Sequence, residues 1–349
     1  MRPKQPRDAL GRFISSARPS FKKEMVGYKG YNLKLRCTGQ FQYRIGGSYE
    51  TDDRIVLCVS GFHCCKDPLG PFTFYTPGVS RYSSVVVKDG IEDKETGKMV
   101  AKHIRIGNEL DLDALEQLVQ MRCQTKCTGI KPPEEDVHVW YRVVAEPGVN
   151  CHVLTADYSY LEPETDYRMY GLLITTGRNS VCRSEFAIAK GCNSIADTMR
   201  HGGHYVGGLA LTLSSASAAI TRGERSLAVC WDPGSAAIVK EYNSVAIASF
   251  GSYTVAEADN CVLVSYGGAR VQGKNNLLVL VPVDFCDEYR RYTTVYLKPS
   301  TVLIMWNRLK KTWCMFRVGD NGLRANKEYT VEELYYKLIL RRGNPYDKQ

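Results

Sequence analysis

The chain has 349 residues, of which 44% are hydrophobic and 24% charged, with a formal net charge of +9. That is enough apolar content and length for a packed core in two or three domains, or in one domain plus a repeat array. It excludes wholesale disorder, and the absence of any run of about 18 apolar residues excludes a transmembrane helix.

Residues 1–25 concentrate the positive charge: Arg2, Lys4, Arg7, Arg12, Arg18, Lys22 and Lys23 stand against Asp8 and Glu24. Prolines interrupt the stretch and no apolar periodicity organises it, which predicts a flexible basic tail and no secretory signal. The tail is either a non-specific contact for nucleic acid or another anionic partner, or a solvated terminus.

Residues 26–130 read as an α+β module. "GYKGYNLKLRC", "FQYRIGGSYE", "RIVLCV", "YSSVVVKDG" and "HIRIGNE" are predicted strands, with the polar stretch "KDGIEDKETGKM" as a hairpin. Asp111 is a good N-cap, and Leu112, Leu115, Leu118, Val119 and Arg122 follow at helical spacing, predicting a helix that buries one stripe against the preceding sheet. Residues 131–183 open on "KPPEED" and read as a connecting β segment.

From residue 184 to 281 apolar runs recur: "FAIA", "LALTL", "LAVC", "VAIAS", "VLVSY" and "LLVLV", each but the last followed by a small-residue segment such as "SAAIT" or "SAAIV". "RSLAV", "NSVAI", "NCVLV" and "NLLVL" start at 225, 243, 260 and 276, steps of 18, 17 and 16 residues. Such a unit cannot bury its apolar face alone; stacked units share a continuous core. Small apolar residues are expected inside a thin cross-section, with Asn, Ser and Gly at the corners, where left-handed backbone is wanted.

Residues 282–349 are expected to cap the stack. "TTVYLKP", "TVLIMWN" and "TWCMFRVG" are strands, "GDNG" is a turn, and Thr330 with Glu333 forms a capping box opening a helix through Val331, Leu334, Leu338 and Ile339. The expected fold is therefore mainly β: an N-terminal α+β module, a short β-solenoid or β-roll of about five coils, and a C-terminal β/α cap.

Residues 27–75 resemble an uncharacterised module found mostly in bacteriophage and prophage proteins. The resemblance rests on Tyr28-Lys29-Gly30-Tyr31, Leu35-Arg36-Cys37, Phe41-Gln42-Tyr43, Gly46, Tyr49, Leu57-Cys58, Ser60-Gly61-Phe62-His63-Cys64, Asp67-Pro68-Leu69 and Tyr75. The segment "IRIGNELDLDALEQLV" is similar to that family's continuation, and the block 225–281 resembles the β-roll repeats of trimeric adhesin heads. The resemblance implies a phage origin, a place in the virion or host cytoplasm, and no particular activity.

Thirteen cysteines run from Cys37 to Cys314 without a regular framework, so free thiols in a reducing compartment are expected. A zinc reading of "SGFHCC" would use Cys37, Cys58, His63 and Cys64 or Cys65, with Cys123 and Cys127 as a further pair, but the loose spacing is unlike paired zinc ligands. The plainer reading is a strand end with Phe62 and Cys64 packed inward. A second resemblance, to a diverged ADP-ribosyltransferase, would make Lys29 and His63 binding residues and Glu109 the acid, although Lys29 replaces that family's arginine. His201 and His204 in "RHGGHYVGG" read as a glycine-rich turn or a metal pair. No motif implies a cofactor, and no P-loop, nucleophile elbow or HExxH is present.

The functional expectation is a non-enzymatic phage protein, structural or accessory in the virion, using the solenoid as a rigid scaffold for other virion proteins or copies of itself, with no membrane partner. A transferase-like module acting on a host target, or an intracellular protein binding a host factor or nucleic acid through the tail, are the alternatives.

Overall fold

A computed structural model describes residues 20–37, 41–94, 96–122, 125–127, 141–145, 151–154, 159–163, 172–184, 186–198, 208–281, 294–307 and 310–340. It divides into two units. One comprises residues up to Pro71 together with Tyr82–Leu110; the other comprises Phe72–Arg81 and Asp111 onward.

The first unit has six strands: β1 (Ser20–Phe21), β2 (Met25–Tyr31), β3 (Ser48–Glu50), β4 (Phe62–Cys65), β5 (Arg81–Asp93) and β6 (Lys98–Leu110). Their order is β1-β5-β2-β4-β6-β3, and β5 also pairs with β6, so the ladder closes on itself as a small barrel. β5 and β6 form one long antiparallel hairpin, as "KDGIEDKETGKM" predicts. The alternation of Val85 and Val87 on β5 and of Ile104 and Ile106 on β6 turns one face into the core. Tyr31, Tyr43, Phe62, Cys64, Met99 and Ala101 fill the remainder.

Two expectations are corrected here. "RIVLCV" is a turn, not a strand: Val59 and Ser60 donate their N–H groups to the Val56 carbonyl, and Cys58 takes φ 62°. Local turn bonding satisfies this backbone, which leaves Val59 78% exposed. The basic tail also ends earlier than residue 25. Ser20 and Phe21 pair with Ile91 and Gly90 of β5, and the Phe21 ring occupies the space where a Gly90 side chain would stand. Lys22 and Lys23 are exposed, while Arg2, Lys4, Arg7, Arg12 and Arg18 lie outside the described residues.

The second unit is a β-solenoid, with about six turns over residues 172–280. Its eleven-stranded sheet contains Thr125–Cys127, Tyr141–Ala145, Ser159–Pro163, Val181–Arg183, Ile195–Asp197, Ala218–Thr221, Ala236–Val239, Tyr253–Ala256, Gly268–Val271, Thr294–Leu297 and Lys327–Thr330. Its ten-stranded sheet contains Cys151–Leu154, Leu172–Thr175, Phe186–Ala189, Leu209–Thr212, Leu227–Cys230, Val245–Ala248, Val262–Ser265, Leu277–Leu280, Val302–Asn307 and Thr312–Arg317. All pairings are parallel except the last in each sheet. The ladders thus begin before residue 184: Tyr141–Ala145 and Ser159–Pro163 are in register with the later coils, so strands of the connecting segment belong to the stack. Irregular turn lengths hide this in the sequence, because the repeat survives in strand pairing while its spacing drifts.

The interior is thin because its residues are small. Ala187, Ala210, Ala228 and Ala246 face Ala196, Ala219 and Ala237 across the core, all without exposure. Each turn has corners at which the chain enters the left-handed region and a small polar residue follows. Asn179, Asn193, Asn243, Asn260 and Asn275 hold φ values of 53–56°, and Asn pays a lower steric penalty there than other non-glycine residues. The following serines form a buried ladder: the Ser180, Ser194 and Ser217 N–H groups donate to the Oγ of Ser194, Ser217 and Ser235 at 3.2, 3.2 and 3.1 Å. Ser217→Ala would leave the buried Ser194 N–H without that acceptor. It is expected to lower unfolding free energy by about 1–3 kcal/mol in denaturant titration; an unchanged midpoint would show that the ladder contributes nothing.

The far end is closed as expected. Thr312–Arg317 folds back on Val302–Asn307, and Thr330 caps a short helix, α2 (Val331–Tyr335), through a capping box with Glu333. Leu334, Leu338 and Ile339 join the solenoid core.

The helix predicted after Asp111 is present as α1 (Leu112–Arg122), and the Asp111 carboxylate accepts the Ala114 N–H at 2.8 Å. It belongs to the solenoid unit, however, and its charged residues engage the eleven-stranded sheet, where the sequence reading expected packing on the preceding sheet. The outward side chains of that sheet are covered by the chain itself. Ile238 and Val255 lie beneath Gly78, whose carbonyl accepts from Arg270 at 3.1 Å.

Candidate functional site

Lys29 and His63 come from separate parts of the sequence and meet in the barrel. Tyr28 pairs with Cys65, which sets β2 beside β4 and places Lys29 against His63. Lys29 is only 6% exposed; its Nζ donates to the His63 carbonyl at 2.6 Å and lies 4.9 Å from the Tyr43 ring centre and 5.8 Å from that of Tyr31. Aromatic faces carry negative potential, so the two rings stabilise a cation that has left water. The aromatic cluster continues through Phe41, Tyr49 and Phe62, whose ring centres stand 4.7–6.3 Å from their neighbours.

Charge and burial together decide the protonation states. Burial lowers the His63 pKa from its ordinary value, and the adjacent Lys29 charge lowers it further, so the imidazole is neutral at neutral pH. His63 Nε2 is buried with no hydrogen-bond partner among the described residues. Burial pushes the Cys64 thiol up to about 12 and the Cys65 thiol higher still, so neither is a ready thiolate. The Tyr31 hydroxyl shares a hydrogen bond with Ser83 at 2.9 Å, and burial raises its pKa.

Because the His63 pKa is lowered on folding, its contribution to stability is complete above about pH 6.5 and is lost as the pH falls below that value. The barrel is expected to lose stability on going from pH 7.5 to 5.5, at most about 1.4 kcal/mol per pH unit from this group. His63→Gln should remove that part of the slope in denaturant titrations at the two pH values. An identical slope in the variant would assign the effect elsewhere.

Of the other residues singled out in the sequence, Cys37 packs against the same core, and the rest do not converge here. Cys58 is exposed on its turn, and Cys37 donates weakly to the Gly30 carbonyl at 3.8 Å. Among the described residues, no group of three or more His, Cys, Asp or Glu could hold a metal ion. Cys123, His201 and His204 lie outside the described residues, as does the Cys127 side chain. Glu109 does not join Lys29 and His63. His63 pairs with Val100 on β6, and Glu109 is nine residues further along that strand. At about 3.4 Å per residue this is roughly 30 Å away, which leaves the transferase-like reading without its acid.

Two polar groupings went unread in the sequence. In the first unit, a groove of about 450 Å³ is lined by Glu24, Glu50, Lys88, His103 and Arg105, with His103 Nε2 3.4 Å from Asp89. In the solenoid unit, Arg222 joins α1 to the eleven-stranded sheet. Its Nε donates to both Asp197 oxygens at 2.8 Å, and its Nη atoms donate to Asp113 at 2.8 and 3.1 Å. Glu116 lies 3.4 Å from Arg222 and 3.5 Å from Arg183, and Lys240 donates to Asp113 at 2.7 Å. A sequence signal for this cluster did exist. Asp197 occupies the outward position that Ile220, Ile238 and Val255 fill in the next three turns. A carboxylate in an aliphatic column requires a cation beside it, and Arg222, directly after the strand Ala218–Thr221 of the same sheet, supplies it.

No curated protein and no solved structure matches the chain. Residues 25–118 match the model of a domain of unknown function, DUF7666. The matched span takes in β2 to β6 and the greater part of α1, so the N-terminal region is similar to that domain family and the solenoid lies outside the match.

Proposed function

We propose that this chain is a non-enzymatic structural or binding protein whose working part is the solenoid, and that it serves a bacteriophage as a virion decoration or accessory component. The observation that carries the scaffold role is the parallel pairing that runs through the described strands from Tyr141 to Asn307, closed over an apolar interior of Ala, Val, Leu and Cys. Such a stack is stiff, because each coil is hydrogen-bonded to both neighbours and the thin core leaves no room for rearrangement. The phage assignment rests on the resemblance carried by Tyr28–Tyr31 and Ser60–Cys64, and the DUF7666 match over the same residues is compatible with it.

Mass spectrometry of purified particles, with copy number from peptide intensities, tests the virion role. Tens of copies per particle are expected. Absence from particles, with the chain recovered from infected-cell lysate, would overturn it. The transferase-like alternative predicts nicotinamide dinucleotide binding that is lost on changing Lys29 and His63, and the 30 Å separation of Glu109 along β6 argues against it.

A further inference from the structure

Both sheets of the solenoid carry aliphatic side chains on their outward faces, and these have different fates. On the eleven-stranded sheet, Ile195, Ile220, Ile238 and Val255 point outward and are completely buried, Ile238 and Val255 beneath Gly78 of the same unit. On the ten-stranded sheet the alternation is equally regular, but the outward side chains are left half-exposed in every turn. These side chains form two straight columns. One runs in register from Leu172 to Val302 and the other from Ile174 to Ile304, through eight strands each. All sixteen positions are Val, Leu, Ile or Phe, with no charge or hydroxyl among them. At the capped end the face continues into Trp306, Trp313 and Met315; the two indoles stand 5.3 Å apart, and Trp313 and Met315 are 49% and 63% exposed.

A solvated sheet face is ordinarily polar at alternate positions. Eight rungs about 4.8 Å apart and four residues wide cover roughly 450 Å² in projection, the scale at which an apolar patch marks an interaction surface. We propose that this face is a self-association surface, covered in solution by the same face of a second copy of the chain. Three features select that occupant. The columns repeat at the strand spacing over their whole length, so the array that meets them without a growing mismatch is another sheet of the same repeat. The sixteen columnar positions are uncharged and Arg317, paired with Val302, stands only at the capped edge, so two copies carrying +9 each can approach over the columns without bringing like charges together. The exposed Trp313 is of the residue type that anchors protein interfaces. A two-fold pairing would cover about 900 Å² in projection, at the small end of specific interfaces, so association should be followed at tens of micromolar protein.

The proposal deepens the scaffold reading and rests on it for the solenoid being the working part. The test is sedimentation of the full chain from 5 to 100 µM at low and high salt. Mass should rise from 39.2 kDa to a multiple of it with concentration, and more readily at high salt, which screens repulsion between the copies. Val229→Lys with Ile247→Lys should hold the chain at 39.2 kDa with an unchanged thermal midpoint, since both side chains are outside the core. Val229→Thr with Ile247→Thr, which keeps β-branching, should weaken association roughly tenfold or more. A chain that remains at 39.2 kDa at 100 µM, or an oligomer untouched by both pairs of substitutions, would overturn the proposal. A monomer found abundantly in particles would overturn self-association alone and leave the scaffold reading standing.

Discussion

Arg222→Ala is expected to lower the stability of the solenoid unit by roughly 3–5 kcal/mol, the range for removing one side of a buried ion pair. Asp197 is completely buried, and the Glu116 side chain is 4% exposed. Without Arg222, Asp197 loses both of its 2.8 Å bonds from Nε and becomes a buried carboxylate beside a second one. Asp113 matters less, since its side chain is 42% exposed and Lys240 still reaches it. Denaturant unfolding would read the loss, and hydrogen exchange should show α1 amides losing protection first, because Arg222 joins that helix to the sheet. Arg222→Lys, which retains the charge without the planar fork, should fall between the two.

The pH dependence separates this account from simple loss of packing. Burial, and then the Glu116 charge, raise the Asp197 pKa well above the ordinary carboxylate range. A raised pKa contributes stability that is complete below the unfolded value and is lost as pH rises through the folded one. Removing Arg222 takes away a charge that favours the ionised form, so the Ala variant should recover part of its lost stability when the pH is lowered from 7 to about 5. Asp113 runs the other way. Arg222 holds its carboxyl well below the usual range, so in the wild-type protein its contribution is present above about pH 4 and is lost on further acidification. A variant penalty that is constant with pH would show that the ionisation of this cluster is not what Arg222 serves.

Gly273→Ala is expected to cost about 3 kcal/mol or more, at the upper end of overpacking effects. A Cβ at this position would stand 1.9 Å from the Ala258 carbonyl oxygen and 2.2 Å from its carbon. Both are backbone atoms of the preceding turn, so no rotamer change relieves the contact and the two turns must separate. The bond from the Asn260 N–H to the Lys274 carbonyl lies at the same corner and would be strained with it. Gly191→Ala should behave alike, with its Cβ 1.8 Å from the Gly177 oxygen. Gly234→Asn is the control. Its nearest neighbours are 3.7 Å away, and its φ of 75° is close to that of the asparagines at other corners. It is expected to be near neutral, within about 0.5 kcal/mol. Thermal unfolding of the three variants measures this, and a Gly273→Ala midpoint equal to that of wild type would contradict the close approach of the turns.

Much of this architecture can be read from residue order. The solenoid strands follow from recurring apolar runs of fixed length, the corners from Asn-Ser pairs, α1 from Asp111 and the leucines after it, and the capped end from Thr330 and Glu333. These are local signals: backbone propensity, side-chain capping and stacking of similar units act within a few residues or between adjacent turns. Lys29 and His63 were singled out in the sequence through the transferase resemblance, and His63 also as a candidate zinc ligand. Their contact was not, because it depends on β2 and β4 meeting in a closed barrel.

What only the tertiary structure decided is which side of each strand faces what. Strands such as "LAVC" and "VAIA" are apolar on both faces, so their sequence is compatible with either face inward. Packing set Ala210, Ala228 and Ala246 inward in the middle turns and Leu263, Leu278 and Leu303 inward toward the capped end, and left the first and third residues of each strand outward, because only one face of each strand meets the opposite sheet. Covering was decided in the same way: α1 and residues 72–81 come to one sheet from a distance in the chain, Arg222 answers the carboxylate of Asp197 there, and the aliphatic columns of the other sheet are left outward. Residue order specifies the repeating unit because its energetics are local. The assignment of faces depends on long-range packing, in which volume and charge must be balanced across elements more than 100 residues apart.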